Sequence, residues 1–186
     1  MKLCVCDLDG VLADNTARFA RAEQERQAFL QEMDIDPEDA DKTPAKLIEK
    51  EATNLYWRTV FSPELVPLDT LIEGAIDAMA QLSLKGYEVV ILTSRPESMR
   101  EATMRWLFDQ GKWNAKAIIM KAPAFQYVKT VIWKAGMIQT LAALYIADDL
   151  IVIDDEQVNI DELHKHGFED SLKLRCYTSL QEAIEA

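Results

Sequence analysis

Cysteine and histidine are scarce in this sequence: three of the first and two of the second among 186 residues. Cys4 and Cys6 share one apolar run and Cys176 lies in another, without the spacing of a metal or disulfide framework. Reduced core thiols are expected, and no His or Cys cluster is available to a soft metal. Apolar runs long enough to cross a membrane are missing, as are low-complexity tracts. There is no Gly-x-x-x-x-Gly-Lys-Ser/Thr loop, so no kinase activity is implied. Positive charge is in short supply, with 20 basic residues against 32 acidic ones and a formal net charge of -12. Such a surface repels phosphate backbones over long range, so extended nucleic acid is not an expected partner, although a local basic pocket is compatible with it. Met1-Lys2-Leu3 leads straight into a strand pattern rather than a signal peptide, and a cytoplasmic location is expected. Oligomeric state is not legible.

What is present is enough for one substantial core, or a core with a small module, with 49% apolar residues. The most informative stretch is Leu3-Cys4-Val5-Cys6-Asp7-Leu8-Asp9-Gly10-Val11-Leu12. Its apolar start suits a buried strand, and Gly10 permits a sharp turn after it. Asp7 and Asp9 would then stand at the carboxyl end of that strand, where open α/β sheets collect ligands. Two crowded acids repel unless a cation or a shared proton relieves them, and a hard divalent ion such as Mg²⁺ suits an oxygen site. The plain alternative is a strand closed by an acidic Asp-x-Asp-Gly turn.

From Asn15 to Glu32 the apolar positions take helical spacing, and a second helix is predicted from Ala45 to Val60. The acidic segment Asp34–Asp41 between them reads as a solvated loop, since it lacks the glycine and glutamate of a calcium loop. Pro63 and Pro67 bracket the return to the main body. Residues 14–69 are thus expected to be a small helical insertion, a cap, between 1–13 and the remaining core at 70–186. Thr70-Leu71-Ile72-Glu73 resembles a capping box opening a helix that Gly86 stops. Strands follow at Val89–Leu92, Ala117–Met120, Leu150–Ile153 and Leu174–Tyr177. Helices are predicted from Pro96 to Asp109, Val131 to Tyr145, Ile160 to Lys165 and from Leu180. This alternation predicts an α/β fold, a three-layer Rossmann-like sandwich with a parallel central sheet.

Three of the apolar strands end in polar clusters: Asp7/Asp9, Thr93/Ser94/Arg95 and Asp154/Asp155. In a parallel sheet all three would converge on one edge. A carboxylate can attack phosphorus there, a second can manage the proton, and Mg²⁺ can offset the repulsion between carboxylate and phosphate. Asp154 is the best third ligand, with Asp155 beside it as a ligand or an orienting group. Thr93 or Ser94 would donate to phosphoryl oxygens, unless they merely cap the next helix. Arg95 would contact phosphate or substrate, the alternative being a pair with a surface acid.

Asp7-Leu8-Asp9-Gly10-Val11 resembles the first motif of the haloacid dehalogenase superfamily, mostly Mg²⁺-dependent phosphatases. The resemblance implies that Asp7 is the nucleophile, forming an aspartyl-phosphate, and that Asp9 is the general acid/base. It implies a hydroxyl residue at the end of the second-motif strand, matched by Thr93, and a phosphate-neutralising lysine. Lys134, ahead of the Asp154 strand, matches best, with Lys121 and Lys129 as the other candidates. It also implies Mg²⁺ held by Asp7, the main chain of Asp9, and Asp154, with Asp155 adjacent. Thr93-Ser94-Arg95-Pro96-Glu97, with Arg100, Thr103, Trp106 and Leu107, is similar to polynucleotide kinase 3′-phosphatase domains. Ile153-Asp154-Asp155 fits these and the 5′(3′)-deoxyribonucleotidases, while Ser94 stands where many relatives have glycine. A phosphatase acting on a small phosphorylated substrate, such as a nucleotide or a nucleic-acid 3′-end, is expected. A sugar-phosphate phosphotransferase or mutase and a non-catalytic phosphate-binding protein are the alternatives, and a dehalogenase would not need Asp9.

Overall fold

The computed structural model describes residues 1–33, 43–111, 115–168 and 172–186. Five strands form one all-parallel sheet: β1 (Lys2–Cys6), β4 (Glu88–Pro96), β5 (Ala117–Lys121), β6 (Asp149–Ile153) and β7 (Lys173–Tyr177), in the order β5-β4-β1-β6-β7. The helices that follow are α3 (Ala75–Leu84), α4 (Arg100–Gly111), α5 (Thr130–Leu144), α6 (Gln157–Lys165) and α7 (Leu180–Glu185). β1 is central because its apolar residues serve both faces. Cys4 and Cys6 pack in the core cluster with Ala78, Met79 and Leu82 of α3 and Trp106 and Leu107 of α4. Leu3 and Val5 pack in the cluster with Trp133, Ile138 and Leu141 of α5. Each such fully buried aliphatic side chain contributes about 1.5–3 kcal/mol. Cys4 and Cys6 are free thiols on one face, and burial pushes the Cys4 thiol up to about 12.

Register places the strand ends level. Cys6 pairs with Ile91 on one side and Ile153 on the other, and the Asp7 amide donates to the Ile153 carbonyl at 2.8 Å. The residues after Cys6 and Ile153 are therefore neighbours, which brings Asp7 beside Asp154.

Between β1 and the rest of the core lie β2 (Ala13–Asp14), α1 (Thr16–Glu32), α2 (Thr43–Val60) and β3 (Thr70–Leu71). The two helices pack on each other, with Ala22 and Ala52 fully buried, and Thr59 donating to Glu25 at 3.0 Å. The acidic segment expected to be a solvated loop, Asp34–Asp41, lies outside the described residues. The helix expected from Ile160 starts three residues earlier, at Gln157, and two further boundaries differ from the sequence expectation. Thr70-Leu71-Ile72-Glu73 does not open a helix: Thr70 and Leu71 pair antiparallel with Asp14 and Ala13, and the Ile72 amide donates to Leu12 at 3.0 Å. Pairing of the two chains at the base of the insertion wins over the local capping signal, and α3 starts only after Gly74, whose φ is +77°. Pro96 ends β4 instead of starting a helix, and a 3-10 turn at Glu97–Met99 precedes α4.

Candidate active site

Asp7 follows β1 and is buried, with one oxygen accepting from the Leu8 amide at 2.8 Å and the other from Lys134 Nζ at 2.6 Å. The same Nζ reaches Asp154 Oδ2 at 2.7 Å. Lys134 is itself buried, in the first turns of α5. Burial alone would lower its pKa, but the charges of Asp7 and Asp154 outweigh that and raise it. For Asp7, burial pushes the carboxyl up to about 7, with Lys134 pulling down and Asp154 pushing up. Asp154 Oδ1 accepts from the Glu156 amide at 3.1 Å and from Asn159 Nδ2 at 2.8 Å. Asn159 holds the acid in place, and no motif or spacing singles it out in the sequence.

Asp155, exposed beside Asp154, completes a trio: Asp7, Asp154 and Asp155 each offer an oxygen, all within 4.8 Å of one another. Burial and the charge of Asp154 raise the pKa of Asp155. Three carboxylates and no nitrogen or sulfur make a donor set for a hard divalent cation, and Mg²⁺ fits it. The side chain of Asp9 is not in this trio, so its part in holding a metal would come from the main chain.

The Asp9 side chain is turned elsewhere. Arg18 of α1 donates to Asp9 Oδ1 at 2.8 Å, and Arg95 donates to the same oxygen at 2.6 Å and to Oδ2 at 3.0 Å. Asp69 closes the ring, accepting from Arg18 Nε at 2.9 Å and from Arg95 at 2.6 Å. Burial would raise the pKa of Asp9, but the hydrogen bonds and charge of Arg95 and the charge of Arg18 overcome it and lower it.

Arg95, expected at phosphate or substrate, is therefore placed differently. It is fully buried, and its remaining donor goes to Thr103 Oγ1 at 3.2 Å. Asp9 and Asp69 would otherwise share the single charge of Arg18, and they claim the second guanidinium. Arg18 and Ala22, four apart, share the buried face of α1, which is the sequence signal for its inward direction.

A cavity of about 840 Å³ spans the strand ends and the helical pair, lined by Asp7, Asp9, Gly10, Ser94, Lys121, Lys134 and Asp155 from the core and by Asn15, Arg18, Phe19, Trp57, Val60 and Phe61 from the insertion. Ser94 lines it, whereas Thr93 is fully buried and its hydroxyl accepts from the Arg95 amide at 3.2 Å. Of the two expected donors, Ser94 rather than Thr93 therefore stands in the cavity wall. Lys121 also lines the cavity, with Nζ donating to the Val128 carbonyl at 2.6 Å.

Solved structures share this arrangement of strands and helices across the whole chain. A haloacid dehalogenase-like family hydrolase from Streptococcus pneumoniae superposes with a TM-score of 0.65 at 16% identity, covering 100% of this chain and 97% of that one. The fold is that of the haloacid dehalogenase-like hydrolases. A further hydrolase of that description, from Xanthomonas campestris, gives 0.62 at 14% identity over 100% and 93% of the two chains. A phosphoserine phosphatase, solved as an analogue of its phospho-aspartyl intermediate, gives 0.56 at 15% identity over 99% and 97%. No family model matches the sequence, and no curated protein does.

Proposed function

We propose that the protein is a Mg²⁺-dependent phosphatase that hydrolyses a small phosphomonoester through an aspartyl-phosphate on Asp7. The observation that carries this reading is Lys134 bridging Asp7 and Asp154 at 2.6 and 2.7 Å, at the edge of a metal-competent carboxylate trio of which Asp7 and Asp155 line the cavity. A buried cation between two acids keeps a nucleophilic carboxylate in place and offsets part of the negative charge that an arriving phosphate meets. Mg²⁺ held by Asp7, Asp154 and Asp155 would keep Asp7 ionised and offset its repulsion from the phosphoryl oxygens.

In the first step the Asp7 carboxylate bonds to phosphorus as the bond to the leaving oxygen breaks, and that oxygen takes a proton. In the second, water attacks the phosphorus, loses a proton, and frees phosphate with Asp7 restored. Asp9, ionised between Arg18 and Arg95, is suited to accept the proton from water. Donating one to the leaving group requires Asp9 to part from at least one of those arginines. Arg18 belongs to the helical insertion, so the insertion acts as a cap whose position governs this step as well as access to the cavity. Phosphoryl transfer in the fold relatives agrees with this reading, as one of them is a phosphoserine phosphatase solved as an intermediate analogue.

The test is release of inorganic phosphate from p-nitrophenyl phosphate with Mg²⁺. Activity lost on chelation, restored by Mg²⁺ and abolished by Asp7→Asn supports the reading. Turnover that survives Asp7→Asn removes the covalent route. Transfer to a sugar acceptor without free phosphate would favour a phosphotransferase instead.

A further inference from the structure

The cavity holds more surface than a phosphoryl group can cover. Phe19, Trp57 and Phe61 line it, all from the insertion. Trp57 and Phe61 lie near parallel, 22° apart with centroids at 5.7 Å, and Trp57 is 47% exposed. An aromatic face left in water on a cavity wall favours an apolar, flat occupant.

The same cavity has little unspent positive charge. Arg18 is committed to Asp9 and Asp69, and Lys134 to Asp7 and Asp154. Among the described residues that line the cavity, Lys121 is the one cation without a carboxylate partner, since Nζ reaches only Val128 O at 2.6 Å and Thr130 Oγ1 at 3.5 Å. Asp155 and Glu156 add negative charge to the same wall.

Building on the phosphatase reading, we infer that the substrate is a monophosphate of a flat ring system, neutral or cationic, which stacks on Trp57 and Phe61. Lys121 is taken by the single phosphoryl group. A second phosphate or a carboxylate on the leaving group meets Glu156 with no side-chain cation of the cavity left to pair with, and is rejected.

Four probes separate the terms: adenosine monophosphate and naphthyl phosphate carry a ring and one phosphate, adenosine diphosphate adds a charge, and glycerol phosphate lacks the ring. With Mg²⁺ present, Trp57→Leu should raise KM for both ring monophosphates about tenfold, the lower range of what stacking contributes. KM for glycerol phosphate should stay unchanged, and adenosine diphosphate should be a poorer substrate than the monophosphate. Phe61→Leu should act in the same direction, with circular dichroism confirming the fold of both variants. Equilibrium dialysis of adenosine monophosphate against the Asp7→Asn protein, with and without Trp57→Leu, reads binding independently of turnover. Binding that depends on Trp57 in a protein that hydrolyses none of the four esters would sink the phosphatase reading and keep the stacking platform. Hydrolysis that depends on Mg²⁺ but treats ring and glycerol esters alike, with Trp57→Leu neutral, would overturn the platform and keep the phosphatase.

Discussion

A Cβ placed on Gly10 would stand 2.1 Å from Oδ2 of Asp155. Gly10 therefore lies directly against the Asp155 carboxylate, which any side chain at this position must displace, and Gly10 also holds a φ of +78° that side chains disfavour. Gly10→Ala should cost about 1–3 kcal/mol from backbone strain alone, read by urea unfolding. Pushing Asp155 away should also weaken Mg²⁺ binding, read by calorimetric titration. An alanine variant with parental Mg²⁺ affinity would show that Asp155 is not a ligand.

The ring of Asp9, Arg18, Asp69 and Arg95 makes a second prediction. Both arginines are almost fully buried and each pairs with both acids, so removing either leaves two acids to share one cation. Arg18→Met and Arg95→Met should each destabilise by about 3–5 kcal/mol. Arg95→Met together with Asp69→Leu should cost less than the sum of the two single changes, because the pair leaves together. Had Arg95 contacted phosphate, its loss would raise KM in a protein of parental stability, and that outcome would place its side chain in the cavity after all.

This ring marks where the sequence stops being legible. The parallel sheet could be read because each β-branched run has its own local pattern and three of them end in polar clusters. Equal strand register then brings Asp7 beside Asp154 without further information, and chain order puts Lys134 on the helix that covers them. Arg95 was open to two partners, phosphate or acid. The choice depends on Asp9, 86 residues away, and on Asp69, 26 residues away, both supplied only by the fold. Thr70-Leu71-Ile72-Glu73 shows the same limit from the other side. Its local capping pattern is intact, yet pairing with Ala13 and Asp14 overrides it. Asn159 offers no pattern at all, since a single amide becomes informative only once Asp154 lies 2.8 Å away.

Lys134 is the only cation within ion-pair reach of Asp7 and Asp154 among the described residues. Lys134→Met should therefore destabilise the metal-free protein by about 3–5 kcal/mol at neutral pH, as Asp7 and Asp154 lose the buried cation that bridges them. Saturating Mg²⁺ should restore part of that stability, because the ion binds the folded carboxylates and not the unfolded chain. Urea unfolding of the variant in EDTA and in Mg²⁺ checks both statements. A variant equally stable in the two buffers would mean the trio binds no metal, and one as stable as the parent in EDTA would mean the bridge contributes nothing.

The pH dependence of the metal-free protein follows from Asp7, whose carboxyl burial pushes up to about 7 from an ordinary 3.8, ahead of the opposing pull of Lys134. Below the unfolded value the group is protonated in both states and contributes no slope. Between about 4 and about 7 the unfolded chain has lost the proton and the folded protein still holds it, so folding takes up a proton. Stability must then fall as pH rises through that window, by at most about 1.4 kcal/mol per pH unit for one group. Above about 7 both states are ionised and the slope ends. Other acids titrate in the same range, so the quantity to measure is the difference between the parent and Asp7→Asn in EDTA. Relative to the parent, Asp7→Asn should gain stability across that window and run parallel to it outside. Adding Mg²⁺ to the parent should remove the difference in slope, because a bound cation returns Asp7 to its ionised form. Parallel stability curves throughout, from acid to alkaline pH, would mean that Asp7 titrates in the folded protein as it does in the unfolded chain.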